Sequence, residues 1–558
     1  MSEKMDPIYP GEVKKPIKEA DGQNLKRLTE AGLTWLKTNQ QIVNALNVFP
    51  VPDGDTGTNM VLTMQSAFEE VVDQPERHAG RMAQSIAHGA LMGARGNSGV
   101  ILSQIWRGFA RSLDETDKIQ ARSMVDAFAA ARDTAYKGVV RPVEGTILTV
   151  IKDIAKETSQ KVTPESDLIE ILEIAVQAAD KSVKHTPELL SVLKEAKVVD
   201  AGGKGLYFIL DGMLRYIYGL PLDTALTQIQ PLAAMDFENT LEAIEPGQDY
   251  EIVMDFRPGS AFDLPDFFSS LEDMGTSIQI GEGDGMYRVH IHVPDEHLYT
   301  PITYAKSLGT VTKVAIENLM EQMAEIEDRN SSIPLSRVEP DQIAVVAVAP
   351  GPGIARVFAS LGVAALVQGG QTMNPSTQEI LNAFENLPTD KIIILPNNKN
   401  IILAAQSAAE LTVKRVSVIP SRTVPQGLAA MLRLAPDSDF DDVVQEMTTA
   451  MEEVETGEIT MATRTVEIDG VPVAEGQIIV LYNGKLIAAE DDLQEACIRF
   501  FENAHADDFE LITMFYGNEL TKPQVFRIID ELRKKYPQQE FEIQDGGQPH
   551  YFFIIGIE

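Results

Sequence analysis

Cysteine is nearly absent from this sequence of 558 residues, and long apolar runs are missing altogether. The one cysteine, Cys497, excludes an intramolecular disulfide and suits a reducing compartment, so we expect a cytoplasmic protein. No apolar run approaches the roughly 18 residues that a membrane-spanning helix needs. Residues 1–15 contain no apolar core of signal-peptide length. We therefore expect neither a membrane span nor a secretory leader.

Basic residues are also scarce. There are 47 Lys and Arg against 83 Asp and Glu, which gives a net charge of −36 and a pI near 4.6. Such an acidic chain repels nucleic acid and anionic lipid surfaces, so neither is an expected partner. We interpret the acidity as a solubility feature. A hydrophobic content of 44% indicates globular domains, and the length predicts about three of them.

Two common nucleotide fingerprints, G-x-x-x-x-G-K-[ST] and G-x-G-x-x-G, are missing, and there is no convincing Ser-His-Asp or Cys-His set. The loop Asn47–Met60, NVFPVPDGDTGTNM, instead places Asp53 and Asp55 two positions apart on irregular backbone. Carboxylates at this spacing can converge on a hard cation such as Mg²⁺, which usually completes its shell with nucleotide phosphates. The alternative interpretation is an ordinary D-G-D turn. An EF-hand is excluded because Met64 stands where that loop requires Glu.

Three further glycine-bearing loops border predicted amphipathic helices. GARGNSGVILSQ, Gly93–Gln104, precedes an apolar helical face, and free N–H groups at such a helix start attract phosphate. The alternative there is a tight helix–helix turn whose glycines serve packing. RPVEGTILTVI, Arg141–Ile151, and DAGGKGL, Asp200–Leu206, are the other two. Loops of this kind can gather at one end of a helical bundle and enclose a ligand.

In this order, the four segments resemble the ATP-binding DhaL domain of dihydroxyacetone kinases, in the variant fused into the catalytic subunit of bacterial fatty acid kinase. The resemblance continues through GGQTMNPSTQEIL (Gly369–Leu381), LPNNKNIILAA (Leu395–Ala405), PQGLAA (Pro425–Ala430) and the closing GGQPHYFFIIGIE. For the amino-terminal domain it implies an all-α antiparallel bundle of eight helices. For the carboxy-terminal domain it implies a relative of the fatty-acid-binding partner subunits.

The resemblance also implies roles for individual residues. Asp53 and Asp55 match carboxylates that hold two Mg²⁺ ions against the ATP phosphates, and Asn47 falls near a third metal ligand. The implied nucleotide-binding residues are Thr58, Asn59, Ser98, Gly99, Thr146, Asp200, Gly202 and Gly203. Phosphoryl transfer then needs positioning and neutralised phosphate charge rather than a protein nucleophile.

Hydrophobic periodicity and the positions of Pro- and Gly-containing joins predict the domain organisation. The expected divisions are a flexible tail at 1–22, a DhaL-like kinase domain at 23–220, a middle α+β domain at 221–330 and an α/β carboxy-terminal domain at 331–558. In the middle domain the predicted strands are Tyr250–Phe256, Ser277–Gly281 and Tyr287–Val293. A charged helix and the loop Asp328–Asp341 are predicted to form the next linker.

Beyond residue 341, three strand–loop–helix units predict a parallel sheet. The loops APGPG, GGQTMNPST and LPNNKN follow the carboxyl ends of these strands, where parallel sheets commonly form sites. The alternative is turn chemistry, because Gly, Pro and Asn are turn formers. A last module starting near Thr463 contains further predicted strands, in TRTVEID, QIIVLYNG, ELITMFYG and YFFIIGI.

His290 and His292 form a second candidate site. They lie two positions apart on a predicted strand and so face the same way, which is a workable pair for Zn²⁺. Two strand histidines also occur as structural residues. In the resembled family a Cys on the preceding strand joins this pair, whereas the corresponding strand here, YEIVMDF, has none. Asp249 and Glu251 are the nearest substitutes.

The primary expectation is an ATP-dependent phosphotransferase. It would be the catalytic subunit that phosphorylates the carboxylate of a fatty acid presented by a separate fatty-acid-binding protein, giving acyl phosphate. A homodimer is expected. Two alternatives stay open: a small-ketone kinase acting on dihydroxyacetone, and a non-catalytic lipid-binding or regulatory scaffold. The chain has no recognisable copy of the domain that holds the ketone in such kinases, and intact Asp53, Asp55 and Ser98 argue against a scaffold.

Overall fold

The structure is a computed structural model. The described residues are 16–48, 54–139, 141–163, 165–222, 230–231, 249–259, 262–283, 286–318, 333–371, 373–462, 465–468 and 470–558. Of the predicted tail at 1–22, residues 1–15 lie outside these ranges. Ala20 exchanges backbone hydrogen bonds with Ile119, and Asp21 caps the first helix.

Helices are the regular elements of the described chain between residues 22 and 218. They are α1 Gly22–Thr38, α2 Gln40–Ala45, α3 Thr56–Glu69, α4 Ala79–Met92, α5 Gly96–Ser112, α6 Ala121–Lys137, α7 Ile147–Lys161, α8 Leu168–Leu189, α9 Ser191–Glu195 and α10 Ala201–Tyr218. Helices α2 and α9 have only six and five residues. The expected count of eight helices is therefore not confirmed, because this part of the described chain has these two short helices in addition to eight long ones.

Local sequence explains how these helices begin and why they pack. Asp21 and Asp167 accept hydrogen bonds from backbone N–H groups in the first turns of α1 and α8. The apolar faces meet in one core, in which Trp35, Met60 and Met64 are fully buried. Burial of each large apolar side chain stabilises the fold by about 1.5–3 kcal/mol. No helix in the described ranges combines the length and hydropathy that crossing a membrane requires.

The middle segment forms a five-stranded sheet in the order β1-β3-β4-β2-β5. Its elements are β1 Gln230–Pro231, β2 Tyr250–Pro258, α11 Leu264–Glu272, β3 Thr276–Gly283, β4 Met286–Val293, α12 Thr300–Leu308 and β5 Gly309–Asn318. The three predicted strands are confirmed as β2, β3 and β4. Strand β5 was not among the predicted strands, and it forms because this segment pairs with β2 along its whole length. Residues 319–327, which precede the predicted loop at Asp328 and belong to the predicted linker, lie outside the described ranges.

A parallel sheet in the order β7-β6-β8-β9 follows, as predicted. This region contains β6 Ile343–Ala349, α13 Pro352–Ser360, β7 Ala365–Gln368, α14 Thr377–Glu385, β8 Lys391–Leu395, α15 Ile402–Glu410, β9 Arg415–Val418, α16 Val424–Met431 and α17 Phe440–Glu452. Every residue of β6 is buried, as expected of a parallel strand covered on both faces.

The last module is a six-stranded sheet in the order β14-β13-β10-β17-β15-β16, with a separate hairpin β11-β12. Its elements are β10 Glu455–Met461, β11 Val466–Ile468, β12 Val471–Val473, β13 Ile478–Tyr482, β14 Lys485–Glu490, α18 Leu493–Asn503, β15 Leu511–Tyr516, α19 Lys522–Lys535, β16 Glu540–Asp545 and β17 Tyr551–Ile557. Cys497 lies buried in α18, where the amphipathic pattern predicts a core residue.

The carboxy-terminal region packs against the helical bundle at the start of α5. Ala94 and Val100 are buried in the same apolar cluster as Ile380 and Ile401. The backbone N–H of Thr377 donates to the carbonyl of Ala94 at 3.2 Å. This contact brings the loop before α14 to the end of the bundle where α3 and α5 begin.

Candidate functional site

The helices that follow three of the four motif loops begin side by side. Gly96 of α5 approaches Asn59 of α3 so closely that a Cβ on it would lie 2.6 Å from the Asn59 Nδ2 atom. Gly205 of α10 approaches Met60 of α3, where a Cβ would lie 2.5 Å from the sulfur. These approaches require glycine. They place the amino ends of α3, α5 and α10 at one end of the bundle.

Two of these helix starts have no side-chain cap. Asp55 and Arg95 occupy the N-cap positions of α3 and α5, and neither side chain bonds a backbone N–H of its own helix. The first N–H groups of a helix have no partner within the helix and carry the positive end of its dipole. Adjacent uncapped helix starts therefore form a favourable place for an anion such as phosphate.

Asp55 is a buried carboxylate at this place, with 8% of its surface exposed. Its Oδ2 atom accepts a hydrogen bond from Asn59 Nδ2 at 2.8 Å. The same oxygen accepts a second bond from Asn374 Nδ2 of the carboxy-terminal region at 2.5 Å. Carboxylate and amide oxygens are the ligands that hard divalent cations prefer. Asp55 thus has the chemistry and position of a metal-binding residue.

The other residues expected around the metal are placed only in part. Asp53 lies outside the described residues. Asn47 is buried, at 2% exposure, just after α2. Thr58 turns toward α2, because its hydroxyl accepts hydrogen bonds from Gln40 Nε2 at 3.0 Å and Asn44 Nδ2 at 3.1 Å. Thr58 therefore joins α2 to α3 and positions the loop that carries Asp55.

The start of α5 uses its glycines for packing. A Cβ on Gly99 would lie 2.4 Å from the Thr63 hydroxyl of α3, and Gly96 adopts a left-handed φ of 56°, which favours glycine. Ser98 lies half-buried in the first turn. The packing interpretation therefore holds for these glycines. It does not exclude the phosphate interpretation, because close packing is what brings the two uncapped helix starts together.

Thr146 and Asp200 act differently, because each caps its own helix. The Thr146 hydroxyl accepts from the Leu148 N–H at 3.4 Å at the start of α7. The Asp200 carboxylate accepts from the Gly203 N–H at 2.6 Å at the start of α10, and it also accepts from the Ile147 backbone. This last bond ties the start of α7 to the start of α10, so the starts of α3, α5, α7 and α10 lie at the same end of the bundle.

The Asp200 carboxyl is unusual in its protonation. Burial raises its pKa to about 7, against the opposing effect of the backbone N–H groups of Gly203 and Ile147. Gly202 follows Asp200 in the first turn of α10 and packs near Ile147, where a Cβ would lie 3.4 Å from the Ile147 Cβ. Asp200 and Gly202 thus hold the helix starts together, and Asp200 is half-protonated near neutral pH.

A second cluster of polar groups lies in the middle sheet. His290 and His292 project from one face of β4, fully buried, with ring centroids 4.9 Å apart. Glu251 on β2 lies directly opposite His292, and its Oε1 atom is 3.7 Å from His290 Nε2. One ligand atom from each residue lies within 4.8 Å of the other two. Of the two acidic residues considered as substitutes for Cys, Glu251 is the one that lies beside both histidines. Asp249 instead accepts a hydrogen bond from the backbone N–H of Asp295.

The histidines of this cluster suit a metal. Burial and the neighbouring His292 lower the pKa of His290 to about 4, so its imidazole is neutral at pH 7 and keeps a lone pair for a cation. Two imidazoles and a carboxylate are an accepted donor set for Zn²⁺. Glu251 lies on β2, the strand on which the resemblance implies a Cys.

The bundle also contains an apolar cavity of about 550 Å³. It is lined by residues of α1, α5, α6, α7, α8 and α10, such as Leu25, Trp106, Phe128, Leu172 and Met213. None of the predicted site residues lines it. A cavity with so few polar groups does not fit a nucleotide, so the helix starts around Asp55 are the candidate site.

Comparison with known families and relatives identifies the class. The model of the DAK2 domain matches residues 50–215. Two models of the FakA-like type of fatty acid kinase match the rest, the middle domain at 246–326 and the C-terminal domain at 344–558. The chain therefore belongs to the family of DAK2-domain proteins with FakA-like middle and carboxy-terminal domains.

Relatives of the same architecture match along their whole length. Protein YloV of Bacillus subtilis (strain 168) is 36% identical over 97% of this chain and 100% of its own. An uncharacterized protein of Staphylococcus haemolyticus (strain JCSC1435) is 35% identical over the same shares. The family assignment thus covers all three domains together.

Solved structures resemble only parts of the chain. The dihydroxyacetone kinase from C. freundii in complex with AMP-PNP and Mg²⁺ has a TM-score of 0.28 at 15% identity, over 38% of this chain and 37% of that one. The Streptococcus pneumoniae fatty acid kinase B3 protein loaded with linoleic acid has a TM-score of 0.26 at 14% identity, over 33% and 76%. Scores this low carry no argument about the site, which stands on the geometry described above.

Proposed function

We propose that this chain is the catalytic subunit of an ATP- and magnesium-dependent kinase. Its reaction is the phosphorylation of a fatty acid carboxylate, presented by a separate fatty-acid-binding protein, to give acyl phosphate. The family assignment supports a subunit of this kind. The single observation that carries the catalytic role is the buried Asp55 carboxylate between the uncapped starts of α3 and α5.

The residues at this place fit a magnesium–nucleotide complex. Asp55 offers hard oxygen donors of the type Mg²⁺ prefers, and Asn47, buried just after α2, offers an amide oxygen. Asp53 is a proposed further ligand from the sequence and lies outside the described residues. The first N–H groups of α5, at Gly96 to Ser98, and those of α3 at Thr56 and Gly57 suit the phosphate oxygens. The Thr58 N–H already donates to Asn44 Oδ1 at 3.1 Å, and the Asn59 N–H donates to the Asp55 carbonyl at 2.9 Å. When bound, magnesium would neutralise charge on the transferred phosphoryl group. Asp200 and Thr146 cap the starts of α10 and α7, and Gly203 supplies the N–H that Asp200 accepts.

The acceptor explains why no protein nucleophile is needed. A fatty acid carboxylate is ionised at neutral pH and attacks phosphorus without a general base. The chain therefore has to position ATP, offset charge and exclude water. The acyl chain would be delivered by the partner. We also propose that two copies of the chain associate.

The test is an assay of acyl phosphate, trapped as the hydroxamate. Purified full-length protein with Mg-ATP and oleate should form acyl phosphate only when a fatty-acid-binding partner is added. Asp55→Asn should abolish the product, because an amide cannot replace the anionic ligand. Asp167→Asn, a matched change at the N-cap of α8 in the same domain, should leave it intact.

Other outcomes of the same assay would overturn the proposal. Phosphorylation of dihydroxyacetone by the chain alone would identify a small-ketone kinase instead. Absence of phosphoryl transfer to either acceptor, in protein that binds the fatty-acid-binding partner, would identify a non-catalytic scaffold. Retained oleate phosphorylation by Asp55→Asn would remove Asp55 from the site.

The middle domain has a proposed metal site of its own. His290, His292 and Glu251 would hold Zn²⁺, and all three belong to β2 and β4 of one sheet. A cation here would tie these two strands together. We assign it a structural role, because its three residues all belong to the middle sheet.

A further inference from the structure

The site around Asp55 receives groups from two parts of the chain. Asn374 lies in the loop before α14, 319 residues after Asp55 in sequence, and its side-chain amide donates to the Asp55 carboxylate at 2.5 Å. Arg95, the N-cap residue of α5, donates to the Asn374 backbone carbonyl at 3.1 Å and pairs with Glu379 of α14 at 3.0 Å. The loop is therefore held against both uncapped helix starts at once.

Asn374 has a second feature that docking alone does not explain. It is 2% exposed, and its Oδ1 atom is buried without a hydrogen-bond partner among the residues that the structure describes. A buried carbonyl oxygen left without a partner costs about 1–3 kcal/mol. A side chain that served only to join two domains would not be expected to carry this cost. The unsatisfied oxygen belongs to an amide that already reaches the proposed metal-binding carboxylate.

The chemistry of that oxygen identifies its partner. An amide oxygen is a neutral hard donor, and Mg²⁺ takes such oxygens, directly or through its bound waters, beside carboxylates. The amide of Asn374 therefore presents a nitrogen to the Asp55 anion and an acceptor oxygen suited to a cation or to its water. Two helix dipoles point their positive ends to the same place, which favours an anion such as a nucleotide phosphate beside the cation.

On the basis of the proposed function, we propose that Asn374 is a binding residue of the magnesium–nucleotide site. The site is then shared between the helical bundle and the carboxy-terminal domain of one chain. Magnesium-dependent nucleotide binding requires the carboxy-terminal domain to be docked. The loop GGQTMNPST, which follows strand β7, is the element that carries this residue into the site.

The test measures binding rather than turnover. A fluorescent, non-hydrolysable ATP analogue is titrated into the full-length protein at a series of Mg²⁺ concentrations. Asn374→Ala should raise the Mg²⁺ concentration for half-maximal binding about 10–100-fold, the range seen when a group that orients or completes a metal site is removed.

A matched control separates metal binding from docking. Asn97 of α5 donates to Asn400 across the same interface at 3.1 Å, and Asn400→Ala removes this bond without changing Asn374 or Asp55. Asn400→Ala should bind the analogue at unchanged Mg²⁺ concentration. Circular dichroism and thermal unfolding of each variant would show that the fold is retained.

Three results would overturn the inference. The first is that Asn374→Ala binds the analogue at unchanged Mg²⁺ concentration. The second is that Asn374→Ala and Asn400→Ala have equal effects, which would mean that Asn374 only helps to dock the two domains. Tighter binding by Asn374→Ala would show that the loop competes with the metal for Asp55. Asp55→Asn distinguishes this failure from failure of the proposed function. If Asp55→Asn also leaves magnesium-dependent binding unchanged, the proposed function itself is wrong.

Discussion

Replacement of Asp200 by Asn should make the stability of the helical bundle less dependent on pH. Asp200 caps α10 and is 6% exposed, and burial raises the pKa of its carboxyl from 3.8 to about 7. Asn has no proton to release and still offers an oxygen to the Gly203 N–H. The substitution therefore removes the titration while keeping the cap.

The expected magnitude follows from this pKa. Because the folded-state pKa lies above the unfolded value, the native protein keeps a proton that the unfolded chain has released between about pH 4 and pH 7. Stability from this proton is present on the acidic side and is lost as pH rises through about 7. Between pH 5 and pH 8 the loss spans about two pH units at about 1.4 kcal/mol each, or about 3 kcal/mol. Because Asp200 is buried, solvent screens its charge little.

Urea unfolding followed by tryptophan fluorescence measures this domain selectively. The chain has two tryptophans, Trp35 and Trp106, and both are buried in the bundle. From pH 5 to pH 8 the free energy of unfolding of Asp200→Asn should rise by about 3 kcal/mol relative to the unaltered protein. Asp167→Asn makes the same change at the half-buried N-cap of α8 and corrects for the general loss of a helix-start charge. Parallel pH profiles for Asp200→Asn and the unaltered protein would refute the reasoning.

Three other outcomes are expected. Asp55→Asn should lose acyl phosphate formation while its circular dichroism spectrum stays unchanged; retained product would contradict its role. Metal analysis of protein purified without added zinc should find about one Zn²⁺ per chain, and Glu251→Gln should lower zinc affinity about tenfold or more; zinc-free unaltered protein would count against the His290 cluster. Gly99→Ala should cost about 1–3 kcal/mol in bundle stability, because its Cβ would lie 2.4 Å from the Thr63 hydroxyl; an unchanged urea midpoint would contradict the packing.

The fold was predictable where its pattern is local. Strands β2 and β4 were predictable from alternation, and the parallel sheet from strand–loop–helix order, because both signals lie within a few residues. Strand β5, Gly309–Asn318, was missed, although its sequence, GTVTKVAIEN, is rich in the β-branched residues that favour strands. What makes it a strand is its pairing with β2, from Asn318 opposite Tyr250 to Gly309 opposite Pro258.

The site was likewise predictable only where the signal is local. The Gly-bearing loops and Asp55 were identified from residue chemistry, and Glu251 and Asp249 were both candidates for the metal at His290 and His292. The register of β2 against β4 decides between the two acids, and no local pattern encodes it. Asn374 was missed. The sequence indicated GGQTMNPST only as a loop at the carboxyl end of a parallel strand, where sites commonly form. The contact of Asn374 with Asp55 depends on how two domains dock, which no local pattern encodes.

The most direct test of the central claim is a crystal structure with Mn²⁺ and a non-hydrolysable ATP analogue, read by anomalous scattering. The expected result is a manganese peak within about 2.1–2.2 Å of an Asp55 carboxylate oxygen, with the phosphates at the starts of α3 and α5. An ordered analogue whose metal lies away from Asp55, or an analogue bound elsewhere in the chain, would contradict the claim.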